Sequence, residues 1–169
     1  QLGIRKGVIA ECRRLGSLFL ESGVQSIIFA KSRIRVEVIS TYLKNFAAKK
    51  WGKPYLVRGY RGGYLPSERR EIENGLKEDR IKTVVSTNAL ELGIDVGSLD
   101  VSIMAGYPGN VASTWQQAGR AGRRKSASVA IIVASSSPLD QFMMNSPEFF
   151  FEKNAEENNI DPDNLSILM

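Results

Sequence analysis

Histidine is absent from this 169-residue chain and cysteine occurs once, at Cys12. Those two shortages exclude a structural zinc site and an intrachain disulfide, and they make a reducing, intracellular setting the simpler reading. Apolar runs are short as well. None approaches the roughly 18 residues that a membrane helix needs, and the N-terminus lacks the pattern of a signal peptide. A soluble, cytoplasmic protein with no membrane contact is expected. The phosphate-cradling pattern G-x-x-x-x-G-K-S/T is also missing, since the one Gly-Lys pair, Gly52-Lys53, runs into Pro54. No Asp-Glu-x-His or similar sequence stands anywhere in the chain. Without that cradle and without magnesium carboxylates, the chain is expected not to hydrolyse ATP alone. No G-x-G-x-x-G follows the first apolar run, which counts against a dinucleotide-binding or small-molecule α/β enzyme.

What is present fits one folded domain of ordinary size: 43% of residues are hydrophobic and 24% charged, with no biased tract. The net charge of +5 conceals an asymmetry. From Pro147 onward six acids face Lys153 alone, which leaves the first 146 residues at +10. A basic body with an acidic end suits a polyanion contacted through one face; a solvated basic surface is the competing reading.

Ile4, Val8, Cys12, Leu15 and Phe19 recur at spacings of three and four, which predicts an amphipathic helix ending near Gly23, with Cys12 as a small core residue. Short apolar runs predict strands at Ser26–Ala30, Tyr55–Val57, Thr83–Thr87, Val101–Met104 and Val129–Val133. Helices are expected from Lys31-Ser32-Arg33 to about Lys50, from Pro66-Ser67 with Ser67 as N-cap, before Arg123, and over Pro138–Met144. Strands alternating with helices define a doubly wound α/β fold with a mainly parallel sheet. In such folds ligands bind where a strand's carboxyl end turns into a helix. Ser32 and Arg33 stand at one such turn. Arg58-Gly59-Tyr60-Arg61-Gly62-Gly63 follows another, where glycines beside arginines let backbone amides approach an anion; a structural turn is the alternative.

The densest chemistry lies between Ser86 and Arg123. If Trp115-Gln116-Gln117-Ala118-Gly119-Arg120-Ala121-Gly122-Arg123 is helical, then Gln116, Arg120 and Arg123 share one face at i, i+4 and i+7, suited to phosphate. Gly119 and Gly122 each cost a helix roughly 1 kcal/mol relative to Ala, so a purely structural helix has little reason to carry both. Upstream, Thr87 offers a hydroxyl, Gly93 a close backbone approach and Asp95 an acceptor for a ribose hydroxyl, or else an Asx turn before Gly97. Trp115 stands either as a base-stacking platform or as a packing anchor.

Gln116-x-x-Gly-Arg-x-Gly-Arg123 resembles motif VI of the superfamily 2 DEAD/DEAH-box helicases, Thr87-x-Ala89-x-x-Gly93-Ile-Asp95 resembles motif V, and Ile28-Phe29-Ala30-Lys31-Ser32-Arg33 resembles motif IV. Their order and spacing match the family over roughly residues 24 to 146. Arg61-Gly62-Gly63-Tyr64-Leu65-Pro66-Ser67-Glu68, Gly106-Tyr107-Pro108-Gly109 and Ser137-Pro138-Leu139-Asp140-Gln141 are similar to the narrower mitomycin repair factor A (YprA-like) group of DNA helicases. The resemblance implies a RecA-like C-terminal lobe whose Arg120 and Arg123 reach ATP as arginine fingers, with Gln116, Gly119, Gly93 and Asp95 on the nucleotide. It implies Ser32, Arg33, Arg61, Gly62 and Thr87 on a nucleic-acid backbone. ATP with Mg2+ held by the N-terminal RecA-like lobe, single-stranded DNA as track, and a part in DNA repair follow from it. An RNA helicase lobe and a non-catalytic nucleic-acid-binding module remain the alternatives. The expected organisation is an N-terminal helix over 1–23, the lobe over 24–146, and an acidic segment over 147–169 leading towards a further domain.

Overall fold

A computed structural model of the chain describes residues 7–60, 65–87, 99–122 and 128–151. Five strands form one all-parallel sheet: β1 (Ser26–Ala30), β2 (Val57–Tyr60), β3 (Thr83–Ser86), β4 (Val101–Ala105) and β5 (Val129–Val133), in the order β2-β3-β1-β4-β5. The registers Ile28 opposite Val85 and Ile28 opposite Ile103 put β1 at the centre. All five residues of β1 and of β4 are buried, as strands covered on both faces require.

Side chains alternate along each strand, so the sheet has two cores. On one face Ile28, Val85, Val101 and Ile103 meet helices α1 (Val8–Glu21) and α2 (Arg33–Trp51) through Cys12, Leu20, Ile39 and Leu43. On the other, Ile27, Phe29, Val84 and Met104 meet α3 (Pro66–Lys77) through Ile72 and Leu76. Helix α4 (Val111–Ala118) joins that second face, where Ser102 Oγ donates to the Gln117 carbonyl at 2.8 Å. A third cluster of Tyr107, Val111, Met143 and Phe150 seats α5 (Pro138–Asn145) and the 3-10 turn Pro147–Phe150. Helix α1 reaches the sheet because Gly16 has no side chain: a Cβ there would stand 2.9 Å from Leu43 Cδ1 and 3.0 Å from Ile28 Cδ1. The doubly wound fold is as expected, and α1 shares its core with α2 and β1.

Two local expectations fail. The second strand begins at Val57, because Pro54–Leu56 winds into a 3-10 turn and Arg58 and Gly59 enter the ladder opposite Val84 and Val85. Ser67 does not cap α3. Pro66 takes the first helical position, where its missing N–H costs nothing, and the Glu68 carboxylate accepts from the Leu65 N–H at 2.9 Å.

Candidate nucleotide and strand-binding edges

Because the strands are parallel, all their carboxyl ends lie along one edge of the sheet. The connections from β1 and β4 leave this edge to opposite faces, α2 to one and α4 to the other, so the two strand ends part and open a crevice between them. A hollow of about 350 Å³ occupies that place, with Lys31 after β1, Thr87 after β3, Gly106 and Pro108 after β4, and Ser113 and Gln117 from α4 along its walls. Ser32 accepts from the Arg35 N–H at 3.3 Å and caps α2, whose 19 residues aim their positive end at the same edge. Arg33, the first helical residue, is exposed. A larger depression of about 650 Å³ between the start of α1 and Ser135-Ser136 gathers none of the expected site residues.

Lys31 is the residue that the sequence reading passes over in favour of Ser32 and Arg33. Its ammonium stands 3.8 Å from Asp140 Oδ1. Asp140 is 1% exposed, and its other oxygen accepts from the Ser135 N–H at 2.7 Å. Burial pushes this carboxyl up, but the Ser135 N–H, the Ser135 and Ser137 hydroxyls and the Lys31 ammonium together hold it below the usual carboxylate range. Gly106 lies against the pair with φ +95°, and a Cβ there would stand 3.1 Å from Lys31 Cε and 3.3 Å from Asp140 Oδ2. A cation directly after a buried strand is the signal that could have found Lys31; nothing local marks Asp140 as its partner.

Helix α4 carries the chain from this edge to the opposite one. Asn110 caps it through an Oδ1 contact with the Ser113 N–H at 2.6 Å. The expected run of helix from Gln116 to Arg123 does not form. The helix ends at Ala118 with Gly119 as C-cap, and Arg120 and Ala121 close short turns onto Gln117 and Ala118 at 3.2 and 2.9 Å. Two glycines remove the propensity to continue, and the backbone instead bridges to the start of β4: Leu99 N–H donates to the Arg120 carbonyl at 2.9 Å, and Gly122 N–H to the Leu99 carbonyl at 3.0 Å. Gln116, half-buried on the last turn, is therefore not aligned with Arg120 on one helix face. Arg120 sits at the amino end of β4, about 16 Å, the length of a five-residue strand, from the edge that carries Thr87. Among the described residues Arg120 has no acidic partner. Trp115 is half-exposed and tied to the 3-10 turn Pro147–Phe150: Nε1 donates to the Phe150 carbonyl at 2.9 Å and the ring meets Phe151 edge-on. Arg61, Gly62, Gly93, Asp95 and Arg123 lie outside the described residues, as does the acidic end beyond Phe151.

A five-stranded parallel sheet with helices on both faces is the architecture of RecA-like helicase C-terminal lobes. The isolated C-terminal domain of the DEAD-box protein Dbp5 shares that fold with a TM-score of 0.65 at 21% identity, covering 86% of this chain. The chain belongs to the helicase conserved C-terminal domain family, whose model matches residues 10–125. It is 54% identical to an uncharacterised ATP-dependent helicase, YprA, of Bacillus subtilis over 99% of its own length and 22% of that protein, and 39% identical to the ATP-dependent helicase HRQ1 of Saccharomyces cerevisiae over 90% of its length and 14% of that protein. The crystal structure of the DUF1998 helicase MrfA bound to DNA and AMPPNP matches with a TM-score of 0.86 and 55% identity, covering 98% of this chain and 23% of that one. The chain thus spans about a fifth of the YprA relative. None of the described helices is long and apolar enough to cross a membrane.

Proposed function

We propose that this lobe holds a nucleic-acid strand along its carboxyl edge and completes an ATP site from its amino edge, within an ATP-driven DNA translocase that serves DNA repair in the cytoplasm. The observation that carries the reading is the separation of the two edges: Lys31 and Thr87 share one hollow, while Arg120 is tied by its backbone to the start of β4 at the far end of the sheet. Strand phosphates meet a helix N-terminus, an ammonium and a hydroxyl, all suited to anions. Arg120 and Arg123 serve as arginine fingers to ATP, beside Gln116, Gly119, Gly93 and Asp95. Ser32, Arg33, Arg61, Gly62 and Thr87 hold single-stranded DNA. The Mg2+ that accompanies ATP belongs to the N-terminal RecA-like lobe of the same protein.

In this reading the strand of β4 and helix α4 form a rigid strut between the edges, so closure on ATP at one displaces the grip at the other, and opening after hydrolysis resets it. The DNA and AMPPNP carried by MrfA, a relative at 55% identity, support both ligands. The test is separation of function in the full-length parent. Thr87→Ala raises the Kd for single-stranded DNA, with turnover at saturating DNA changed only a few-fold. Arg120→Ala leaves that Kd within a few-fold and abolishes turnover. Both variants losing the same property would refute the division of labour.

A further inference from the structure

Asp140 is a buried carboxylate that neither the proposed nucleotide site nor the strand site employs. Its Oδ1 accepts no hydrogen bond from any described residue, although that oxygen is buried. A buried anion with an idle oxygen is costly unless a cation faces it, and the cation here is Lys31, at 3.8 Å. Three separate parts of the chain build the arrangement. Lys31 ends β1; Gly106, at φ +95°, clears the space beneath its stem; and α5 delivers Asp140, fixed by the Ser135 N–H and by its own N–H bonded to the Ser137 hydroxyl at 3.2 Å. The half-exposed ammonium is held at the wall of the hollow that also contains Thr87.

We propose that Asp140 is a positioning residue for strand binding: it holds the Lys31 ammonium over Gly106, aimed into the Thr87 hollow, where it meets a backbone phosphate. The inference rests on the strand reading of that hollow. Asp140 touches no nucleic acid itself. A freely rotating lysine loses rotamer freedom when it is fixed, and Asp140 bears part of that cost before the strand arrives.

The charge of Asp140 makes the test sharp. Removing a negative charge beside a polyanion should tighten binding if charge alone matters; removing a positioning group should weaken it. The measurement is the Kd of the full-length parent for a mixed-sequence single-stranded DNA, across several KCl concentrations, with stoichiometric titration to count competent sites. Misfolded molecules then reduce the count and leave the Kd and its salt slope alone. Lys31→Ala is expected to weaken binding about tenfold and to reduce the salt slope by about 0.7, the loss of one phosphate contact on a single strand. Asp140→Asn is expected to do the same despite its sign, and the double variant to bind no more weakly than Lys31→Ala. Asp140→Asn binding as tightly as the unaltered protein, or more tightly, with Lys31→Ala weakened, would overturn the positioning role alone. Lys31→Ala unchanged in Kd and slope would overturn the positioning role and the strand reading of the hollow together.

Discussion

Gln25 sits at the amino edge, one residue before β1, and binds three elements at once. Its Nε2 donates to the Leu76 carbonyl at 2.8 Å and to the Ile81 carbonyl at 3.0 Å, fastening the end of α3 to the entry of β3. Its own carbonyl accepts from Asp100 and Val101, and its N–H donates to Asp100 Oδ2 at 3.1 Å. Gln25→Ala keeps the backbone bonds and removes the two amide bonds. At about 1 kcal/mol net for each, and with the Leu76 carbonyl still served by the Asp79 N–H, the loss comes to about 2 kcal/mol. For a chain of this size that corresponds to a fall of about 4–8 °C in melting midpoint. Chemical denaturation of the chain, following tryptophan fluorescence or far-UV circular dichroism, reads the difference directly. The side chain is 2% exposed, so no water replaces it without opening the core. A change below about 0.5 kcal/mol, in the range of ordinary surface substitutions, would refute the assignment of Gln25 as the staple of this edge.

Burial pushes the Cys12 thiol up to about 12, with a smaller contribution from Glu11. The folded chain should therefore react with a thiol reagent at pH 8 only after denaturant is added, and its thiol contributes stability that is present below the unfolded value of about 8.5 and is lost as pH rises towards 12; rapid labelling of the native chain would contradict this. Asp140 titrates in the opposite sense. Its folded value lies below the unfolded one, so its stability is present above pH about 4 and is lost as pH falls through the folded value. Melting curves between pH 3 and 6 should show an acid decline that Asp140→Asn flattens, and an identical decline in both proteins would remove Asp140 from the account.

Strands buried on both faces were the most legible part of the fold. Ser26–Ala30, buried along its whole length, coincides with its apolar run, since a continuous run bounded by polar residues has few other uses; Val129–Val133 also coincides with its run, although as an edge strand it is only half covered. The strand expected at Tyr55–Val57 exists as β2, but its bounds were missed because Arg58 and Gly59 read as a loop. Gly59 pairs with Val85 in the ladder, and α2 packs close over it, so that a Cβ would stand 3.3 Å from Ser40 Oγ, a long-range fact that no local pattern carries. The helix expected to run through Arg120 illustrates the converse. Its spacing fitted 3.6 residues per turn, but Gly119 and Gly122 were the stronger signal, and the backbone pairing of Arg120 and Gly122 with Leu99 decided the outcome. At the carboxyl edge the motif-bearing Thr87 was visible. Lys31 with Asp140 was not, since 109 positions separate the two and only the packing of α5 brings them together.

Arg120 carries the central claim, and single-turnover ATP hydrolysis by the full-length parent, saturated with both ATP and DNA, tests it most directly. Saturation removes binding from the comparison, so the rate reports what the guanidinium does to the reacting phosphate. The account predicts that Arg120→Ala lowers this rate by about 10³-fold or more, the range of arginine fingers in other NTPases, with the Kd values for ATP and DNA changed only a few-fold. Hydrolysis within a few-fold of the unaltered protein would contradict it.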